Sequence, residues 1–392
     1  MSDKNNKALN PGWRRVKFGD VVRLSKARSQ DPLADGIERY VGLEHLEPGD
    51  LRIRRWGSVA DGVTFTSVFQ PGQVLFGKRR AYQRKVAVAD FSGVCSGDIY
   101  VLETKDAKVL LPELLPFICQ TDAFFDHAVG TSAGSLSPRT NWTSLADFEF
   151  TLPPIPEQHR LLTALSELMK TIAAIEDCVS SANRLRKSIG IDVFGSRENL
   201  KPLEEFVSES MYGARFSNSL YSESGAVAQL RTTDISESGV IDYKGIPLAD
   251  LDVEDMKTHL LQRGDLVFSR SGTCGITAVF EEHVVPTIPA AFLIRFRLKS
   301  GLNPYFLNEF FHSPIGRQMS VSLARGGVQK NVSASELVKQ LIPVPSIETQ
   351  EDIVARLKSI RAAIDDCEAR RAQLLTVAKA AQEKMIEDGA DV

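Results

Sequence analysis

Five cations fall within eight residues at Lys78-Arg79-Arg80-Ala81-Tyr82-Gln83-Arg84-Lys85, grouped around one aromatic side chain. Lysine and arginine neutralise phosphates and release condensed counterions, and arginine can also hold guanine bidentately in the major groove. The same composition fits a solvated strand edge kept from self-association by charge. A second segment, Gly134-Ser135-Leu136-Ser137-Pro138-Arg139-Thr140-Asn141-Trp142, offers Arg139 and Asn141, residue types that donate to base edges and phosphates. Arg270-Ser271-Gly272-Thr273-Cys274-Gly275 offers Arg270, Ser271 and Thr273. Arg325-Gly326-Gly327-Val328-Gln329-Lys330-Asn331 offers Arg325, Gln329, Lys330 and Asn331, with glycines that let backbone approach a ligand closely. For these loops an ordinary solvated surface is the competing reading.

No catalytic residue and no metal ligand is assigned. The sequence carries no Gly-x-x-x-x-Gly-Lys-Ser/Thr phosphate loop and no Gly-x-Gly-x-x-Gly dinucleotide loop. Asn303-Pro304-Tyr305 matches part of the adenine-methyltransferase Asn-Pro-Pro-Tyr motif, but lacks the second proline and a Gly-rich companion loop. Pro304 is therefore read as a helix start. The six histidines form no pair at ligand spacing, and the five cysteines (Cys95, Cys119, Cys178, Cys274, Cys367) are scattered, as reduced thiols of a cytosolic protein would be. No run of eighteen apolar residues suggests a membrane span, and the polar start lacks the apolar region of a secretory signal, so a cytoplasmic location is expected. Net charge is −3 over 392 residues, and residues 1–152 hold 20 Lys and Arg against 18 Asp and Glu. Any nucleic-acid footprint must then be a local patch.

The elements that must carry these loops occur twice. Gln70-Pro71-Gly72-Gln73-Val74-Leu75-Phe76-Gly77-Lys78 recurs 192 residues later as Gln262-Arg263-Gly264-Asp265-Leu266-Val267-Phe268-Ser269-Arg270. At the same offset Pro112, Leu115, Gly134, Leu145, Pro153, Ile155 and Gln158 fall on Pro304, Leu307, Gly326, Leu337, Pro345, Ile347 and Gln350. A fixed period of this kind marks a structural repeat. Each copy reads as short β-runs (Gly72 to Phe76, Gly264 to Phe268), a proline-opened helix (Pro112 to Phe125, Pro304 to Phe311), a Gly/Ser loop and a Pro-rich elbow.

After each elbow the spacing predicts a long helix. Leu161, Leu165, Leu168, Ile172, Ile175, Val179, Ala182, Ile189 and Val193 keep a 4-3 alternation broken only by Arg186. Ile353, Leu357, Ile360, Ile364, Cys367, Leu374, Ala378, Ala381 and Met385 do so broken only by Arg371. A 3.5-residue period argues for a coiled-coil seam, and two matched seams favour pairing with each other. An Ala-Ala-Ile-Glu/Asp-Asp-Cys box recurs at offset 189 instead (173–178 and 362–367), which predicts three extra residues between elbow and box in the first helix.

The duplicated unit, the Gly-Asp-Leu-Val-Phe-Ser-Arg-Ser-Gly run at 264–272 and the elbow-plus-helix segments at 152–193 and 342–386 resemble the specificity subunit of type I restriction–modification systems over nearly the whole chain. The resemblance implies an α+β, pseudo-two-fold fold with two target-recognition domains, residues 1–152 and 199–341. These would be joined and separated by two long antiparallel coiled-coil spacer helices, residues 153–198 and 342–392. It implies a non-catalytic chain that reads a bipartite double-stranded DNA site and docks two methyltransferase subunits and restriction (helicase/nuclease) subunits. S-adenosylmethionine, ATP and Mg would belong to those partners. Two other classes stay open: a self-contained DNA-modifying enzyme, which would need a cofactor motif, and a coiled-coil scaffold, which would not need basic loops at equivalent places.

Overall fold

A computed structural model of the chain describes residues 9–326 and 331–387. It divides into two compact units, one formed by residues 1–176 with 369–392 and the other by residues 177–368. Both units are wired alike. In the first, a four-stranded antiparallel sheet runs in the order Val22–Leu24, Ile99–Thr104, Val74–Gly77, Val86–Val88. In the second the order is Val207–Tyr212, Leu293–Leu298, Leu266–Ser269, Thr277–Val279. A second, smaller sheet of short strands accompanies it, four-stranded in the first unit and three-stranded in the second, and each includes one parallel pair: Arg39–Val41 with Gly93–Cys95, and Val227–Leu230 with Thr287–Pro289. A two-stranded ribbon, Arg14–Lys17 with Glu149–Leu152 or Leu200–Pro202 with Leu341–Pro343, ties the start of each unit to its elbow.

The repeated β-run is apolar without alternation because it is covered on both faces. Val74 and Phe76 pack into the core shared with the helices, while Leu75 points into the core of the smaller sheet. Leu266 and Phe268 against Val267 repeat the division. The same doubling reaches single hydrogen bonds. Gln158 is fully buried; its Oε1 accepts from the Leu111 N–H (2.9 Å) and its Nε2 donates to the carbonyls of Val109 and Pro153 (2.8 and 2.9 Å). Gln350, equally buried, accepts from Asn303 (2.8 Å) and donates to Gly301 and Pro345 (3.0 and 2.8 Å), every partner displaced by 192 residues. Each glutamine pins the first turn of a long helix to its globular body by satisfying three buried backbone groups.

The first proline-opened helix is shorter than expected, the second ends one residue later than expected, and each is followed by another. In the first unit a turn Pro112–Leu114 leads into Leu115–Cys119, and Thr121 restarts the chain as Asp122–Gly130, its Oγ1 accepting from the Phe124 N–H at 3.3 Å. In the second, Pro304–His312 is followed by Pro314–Leu323, capped by Ser313 accepting from Gly316 N–H at 3.1 Å. Extended backbone at Thr121 and Ser313 (ψ 150° and 161°) breaks the path, and their hydroxyls satisfy donors of the next helix.

The long helices span Ile155–Phe194 (40 residues) and Ile347–Glu387 (41 residues). Every seam residue named from the sequence is buried or half-buried. In the first unit, Leu161, Leu165 and Met169 share a core with Ala381, Met385 and Ile386; in the second, Ile189, Val193 and Phe194 share one with Ile353, Val354 and Leu357. The beginning of each helix thus lies with the end of the other, and the pair is antiparallel. Inner positions correspond at offset 192 from Leu165/Leu357 through Ile172/Ile364 to Phe194/Ile386. The displaced Ala-Ala-Ile box therefore does not mark a longer first helix; it is a likeness of sequence one seam step out of the packing register. The two arginines that break the heptads sit on the inner face beside carboxylates. Arg371 donates twice to Glu176 Oε1 (3.0 and 2.8 Å), and Arg186 pairs with Glu309 at 2.6 Å. Burial pushes the Glu176 carboxyl up, but hydrogen bonds from Arg371 and Arg52 outweigh it and hold its pKa below the usual carboxylate range. Among the described residues no helix is long and apolar enough to cross a membrane.

Candidate nucleic-acid interface

The two candidate loops of each unit, about sixty residues apart in sequence, form one structure. Beyond the strand Val74–Gly77, Lys78 N–H donates to the Asp98 carbonyl and Thr140 N–H donates to the Lys78 carbonyl, both at 3.0 Å. Arg79 faces Arg139 and Arg139 faces Ala133 in antiparallel bridges. The second unit repeats this: Arg270 N–H donates to the Phe292 carbonyl, Val332 N–H to the Arg270 carbonyl, both at 2.9 Å, and Asn331 faces Ser271 and Arg325. Arg79 thus corresponds to Ser271, Arg139 to Asn331 and Ala133 to Arg325, on one backbone scaffold with different side chains.

Past this ribbon the first loop closes in a tight turn, Ala81–Gln83, flanked by Arg80 (φ 53°) and Arg84 (φ 54°) in the left-handed region. Gly272 (φ 75°) occupies the place of Arg80 in the second unit. An L side chain there costs roughly 1–2 kcal/mol that glycine avoids, so arginine at position 80 is held against a backbone preference. Buried Ala81 anchors the turn while Tyr82 stands 55% exposed beside it.

The five cations divide by their partners. Asp98 is shared by Arg79 (NH1 to Oδ2, 3.2 Å) and Arg139 (Nε to Oδ1, 2.8 Å). Burial raises the Asp98 pKa, but the two arginines outweigh it and keep the carboxylate ionised. Ser137 Oγ accepts from the Nε of Arg79 (2.9 Å) and of Arg80 (3.1 Å), leaving Arg80 without a carboxylate partner among the described residues. Lys78 lies 4.6 Å from the centre of the Tyr100 ring. Arg84 turns inward: it donates to the Gln120 carbonyl (3.1 Å), pairs with Asp122 (2.5 Å) and lies 4.5 Å from the Phe125 ring centre. Lys85 donates to the Leu43 carbonyl at 2.7 Å. Asn141 Oδ1 caps the short helix Trp142–Ala146 by accepting from Ser144 N–H (2.8 Å), while the residue stays exposed.

In the second unit Arg270 lies 4.4 Å over the Tyr212 ring, with its Nε buried and making no hydrogen bond among the described residues. Ser271 is buried at the ribbon, Thr273 is exposed at the tip, and Arg325 pairs with Glu336 at 3.2 Å. Gln329 and Lys330 lie outside the described residues. Sequence reading missed a second basic and aromatic segment, Leu51-Arg52-Ile53-Arg54-Arg55-Trp56, although the composition rule that selects 78–85 would find it. Trp56 is 46% exposed, and Arg39 stacks between Trp56 and Phe91, 4.5 and 5.0 Å from their ring centres. The turn Leu43–His45 lies between the two basic stretches, its Leu43 carbonyl accepting from Lys85 and its Glu44 carbonyl from Arg55 at 3.5 Å.

Residues 12–178 and 213–376 match the family described as type I restriction modification DNA specificity domain. The type I restriction enzyme EcoDI specificity subunit of Escherichia coli is 29% identical over 194 residues, 48% of this chain and 42% of that protein. The EcoKI specificity subunit of E. coli strain K12 is 26% identical over 296 residues, 66% of this chain and 62% of that protein. The aligned stretches therefore span less than two thirds of either relative. Among solved structures, a chain from work on complex assembly and conformational transition of the type I R-M system has the same fold, with a TM-score of 0.63 at 18% identity over 98% of this chain and 100% of that one. With two copies of the domain filling most of its length on a duplicated fold, this chain belongs to the type I restriction modification DNA specificity family.

Proposed function

We propose that the chain is the DNA-reading subunit of a type I restriction–modification enzyme and has no catalytic centre of its own. The observation that carries the reading is the loop pair built twice on matching backbone bridges but with different side chains at its tip: Arg79, Arg80 and Arg139 in one unit, Ser271, Gly272 and Asn331 in the other. A scaffold held constant while the presented donors change suits two readers of different half-sites, since donors set which base edges are recognised. In this reading residues 1–152 and 199–341 are the target-recognition domains. Segments 153–198 and 342–392 are spacer helices whose seam fixes the distance between half-sites. Lys78, Arg79, Arg80, Tyr82, Arg139, Asn141, Arg270, Ser271, Thr273, Arg325, Gln329, Lys330 and Asn331 contact bases or phosphates, whereas Arg84 and Lys85 act chiefly by holding their loop in shape. The chain works in the cytoplasm with two methyltransferase subunits and with restriction subunits, and S-adenosylmethionine, ATP and Mg belong to those partners.

The test is selection of duplexes from a randomised pool by the chain assembled with its methyltransferase partner. The expected product is one bipartite sequence with a fixed gap, and a change confined to one half when the Arg270, Ser271 and Thr273 side chains are replaced. Enrichment of no sequence, or methylation by the isolated chain, overturns the proposal.

A further inference from the structure

In the second unit an open cavity of about 400 Å³ lies between the end of the first long helix, the junction of Pro304–His312 with Pro314–Leu323, and Leu357 of the second long helix. A smaller lobe of about 310 Å³ adjoins it, sharing Asn183, Arg186, His312 and Arg317. The larger lobe is lined by Arg186, Lys187 and Arg317 against one carboxylate, Glu309, which Arg186 engages at 2.6 Å. Arg361 lines the smaller lobe together with Glu237, Asp365 and Glu368, and neither it nor Arg317 makes an ion pair among the described residues. Arg317 donates instead to the Glu237 carbonyl (3.2 Å) and approaches His312 Nδ1 (3.5 Å). His312 Nε2 lies 2.8 Å from the Thr277 carbonyl, so the ring donates there and stays neutral. Arg186 also keeps a buried Nε without a hydrogen-bond partner.

The repeat supplies the control. The corresponding cavity of the first unit, about 260 Å³, is lined by Leu375, Ala378, Phe125 and Met169, which stand at offset 192 from Asn183, Arg186, Arg317 and Arg361. The first-unit cavity also holds Arg84 and Lys379, both paired with Asp122 at 2.5 and 2.7 Å, whereas the places of Phe125, Met169 and Ala378 are taken in the second unit by three arginines, of which Arg317 and Arg361 make no ion pair among the described residues. Burial, and then the neighbouring charge of Arg186, hold Arg361 below the usual guanidinium range, so the gathering opposes stability. The fold does not require these charges, and an arriving anion would satisfy them.

We propose that the cavity lined by Arg186, Lys187 and Arg317 is a binding site for a small phosphate-class oxyanion, taken either as free phosphate or as the phosphate tail of a nucleotide. Planar guanidinium groups suit such ligands because they donate paired hydrogen bonds to two oxygens at once. The site is separate from the DNA-reading loops, and its variants leave those loops intact.

Isothermal titration of the full chain with inorganic pyrophosphate, at ionic strength matched with chloride, is the direct measurement. One saturable site is expected. Arg317→Gln, a change at an exposed position, should weaken it roughly ten- to hundredfold, as the loss of a charged hydrogen bond does, while the salt dependence of DNA binding stays unchanged. Arg186→Ala, which copies the first unit's Ala378, should do the same, and circular dichroism of each variant confirms the fold. ATP binding more tightly than pyrophosphate assigns the ligand to nucleotides, and equal binding assigns it to free phosphates. No saturable heat with pyrophosphate, heat unchanged in both variants, or displacement of pyrophosphate by a duplex overturns the proposal.

Discussion

Arg80 and Arg84 are four residues apart, both arginine and both in the left-handed region, yet their replacement should have opposite consequences. Among the described residues the Arg80 guanidinium bonds to the Ser137 hydroxyl and pairs with no carboxylate, so its charge is available to a phosphate. Arg84 is committed to the Gln120 carbonyl, the Asp122 carboxylate and the Phe125 ring. Each phosphate contact contributes about 0.9 to the slope of log affinity against log salt on duplex DNA. A fourfold rise in salt, from about 50 to 200 mM, then weakens binding about 3.5-fold for every such contact. Arg80→Ala should remove one increment of that size with little change in stability, since alanine keeps the Cβ that makes left-handed backbone costly. Arg84→Ala should leave the slope alone and lower stability by about 1–2 kcal/mol, because a half-buried carbonyl loses its donor and an ion pair its cation. The assay is fluorescence anisotropy of a labelled duplex of arbitrary sequence at several salt concentrations, paired with thermal melts of each variant. A slope that falls with Arg84→Ala and not with Arg80→Ala would refute the division of the loop into presented and structural cations.

His312 is held near a pKa of about 4, against an ordinary 6.5, first by burial, so the unfolded chain binds its proton at higher pH than the native one. Its contribution is complete above pH 6.5 and is lost as pH falls through about 4, roughly 3 kcal/mol in all; His312→Gln, the residue at the first unit's position 120, should flatten that part of the stability–pH curve, measured by urea titration. Replacing Gln158 or Gln350 with Leu strands three buried backbone groups in either unit and should cost about 2–4 kcal/mol, or roughly 5–15 °C by circular dichroism; a large loss at one glutamine and none at the other would contradict the equivalence of the two pins. Seven residues of seam-compatible helix inserted after Glu176 and again after Glu368, where each helix passes from one unit to the other, add about 10 Å at 1.5 Å per residue. The gap between half-sites should then lengthen by about three base pairs, read from the positions of methylated sites; an unchanged gap in an active enzyme removes the helices from that role.

The repeat, the covered β-run and both helix seams were legible because each rests on apolar periodicity, which burial imposes directly on sequence. The two seam arginines read only as interruptions, since Glu309, the partner of Arg186, lies 123 residues away and Glu176, the partner of Arg371, lies 195 residues away, and folding brings each pair together. Asp98 and Ser137, which organise the basic loop, were invisible for the same reason. The break at Thr121 was legible and overlooked: Ser313-Pro314 shows the capping hydroxyl followed by a helix-opening proline, and its repeat mate marks the same place. The Ala-Ala-Ile box misled because local identity outweighed the burial register that Gln158 and Gln350 set at the start of each helix. At the loops, residue type identified cations correctly but could not separate Arg80, which has no carboxylate partner among the described residues, from Arg84, which is bound to its own domain.

The most direct test is the adenine methylation pattern of a genome in cells that express the methyltransferase partner with or without this chain, and with a chain whose second-unit tip is altered at Arg270, Ser271 and Thr273. Methylation should appear only when the chain is present, fall on a single bipartite sequence, and change in one half alone when the tip is altered. Methylation of the same sites without the chain, or a pattern indifferent to the altered tip, would show that sequence is read elsewhere.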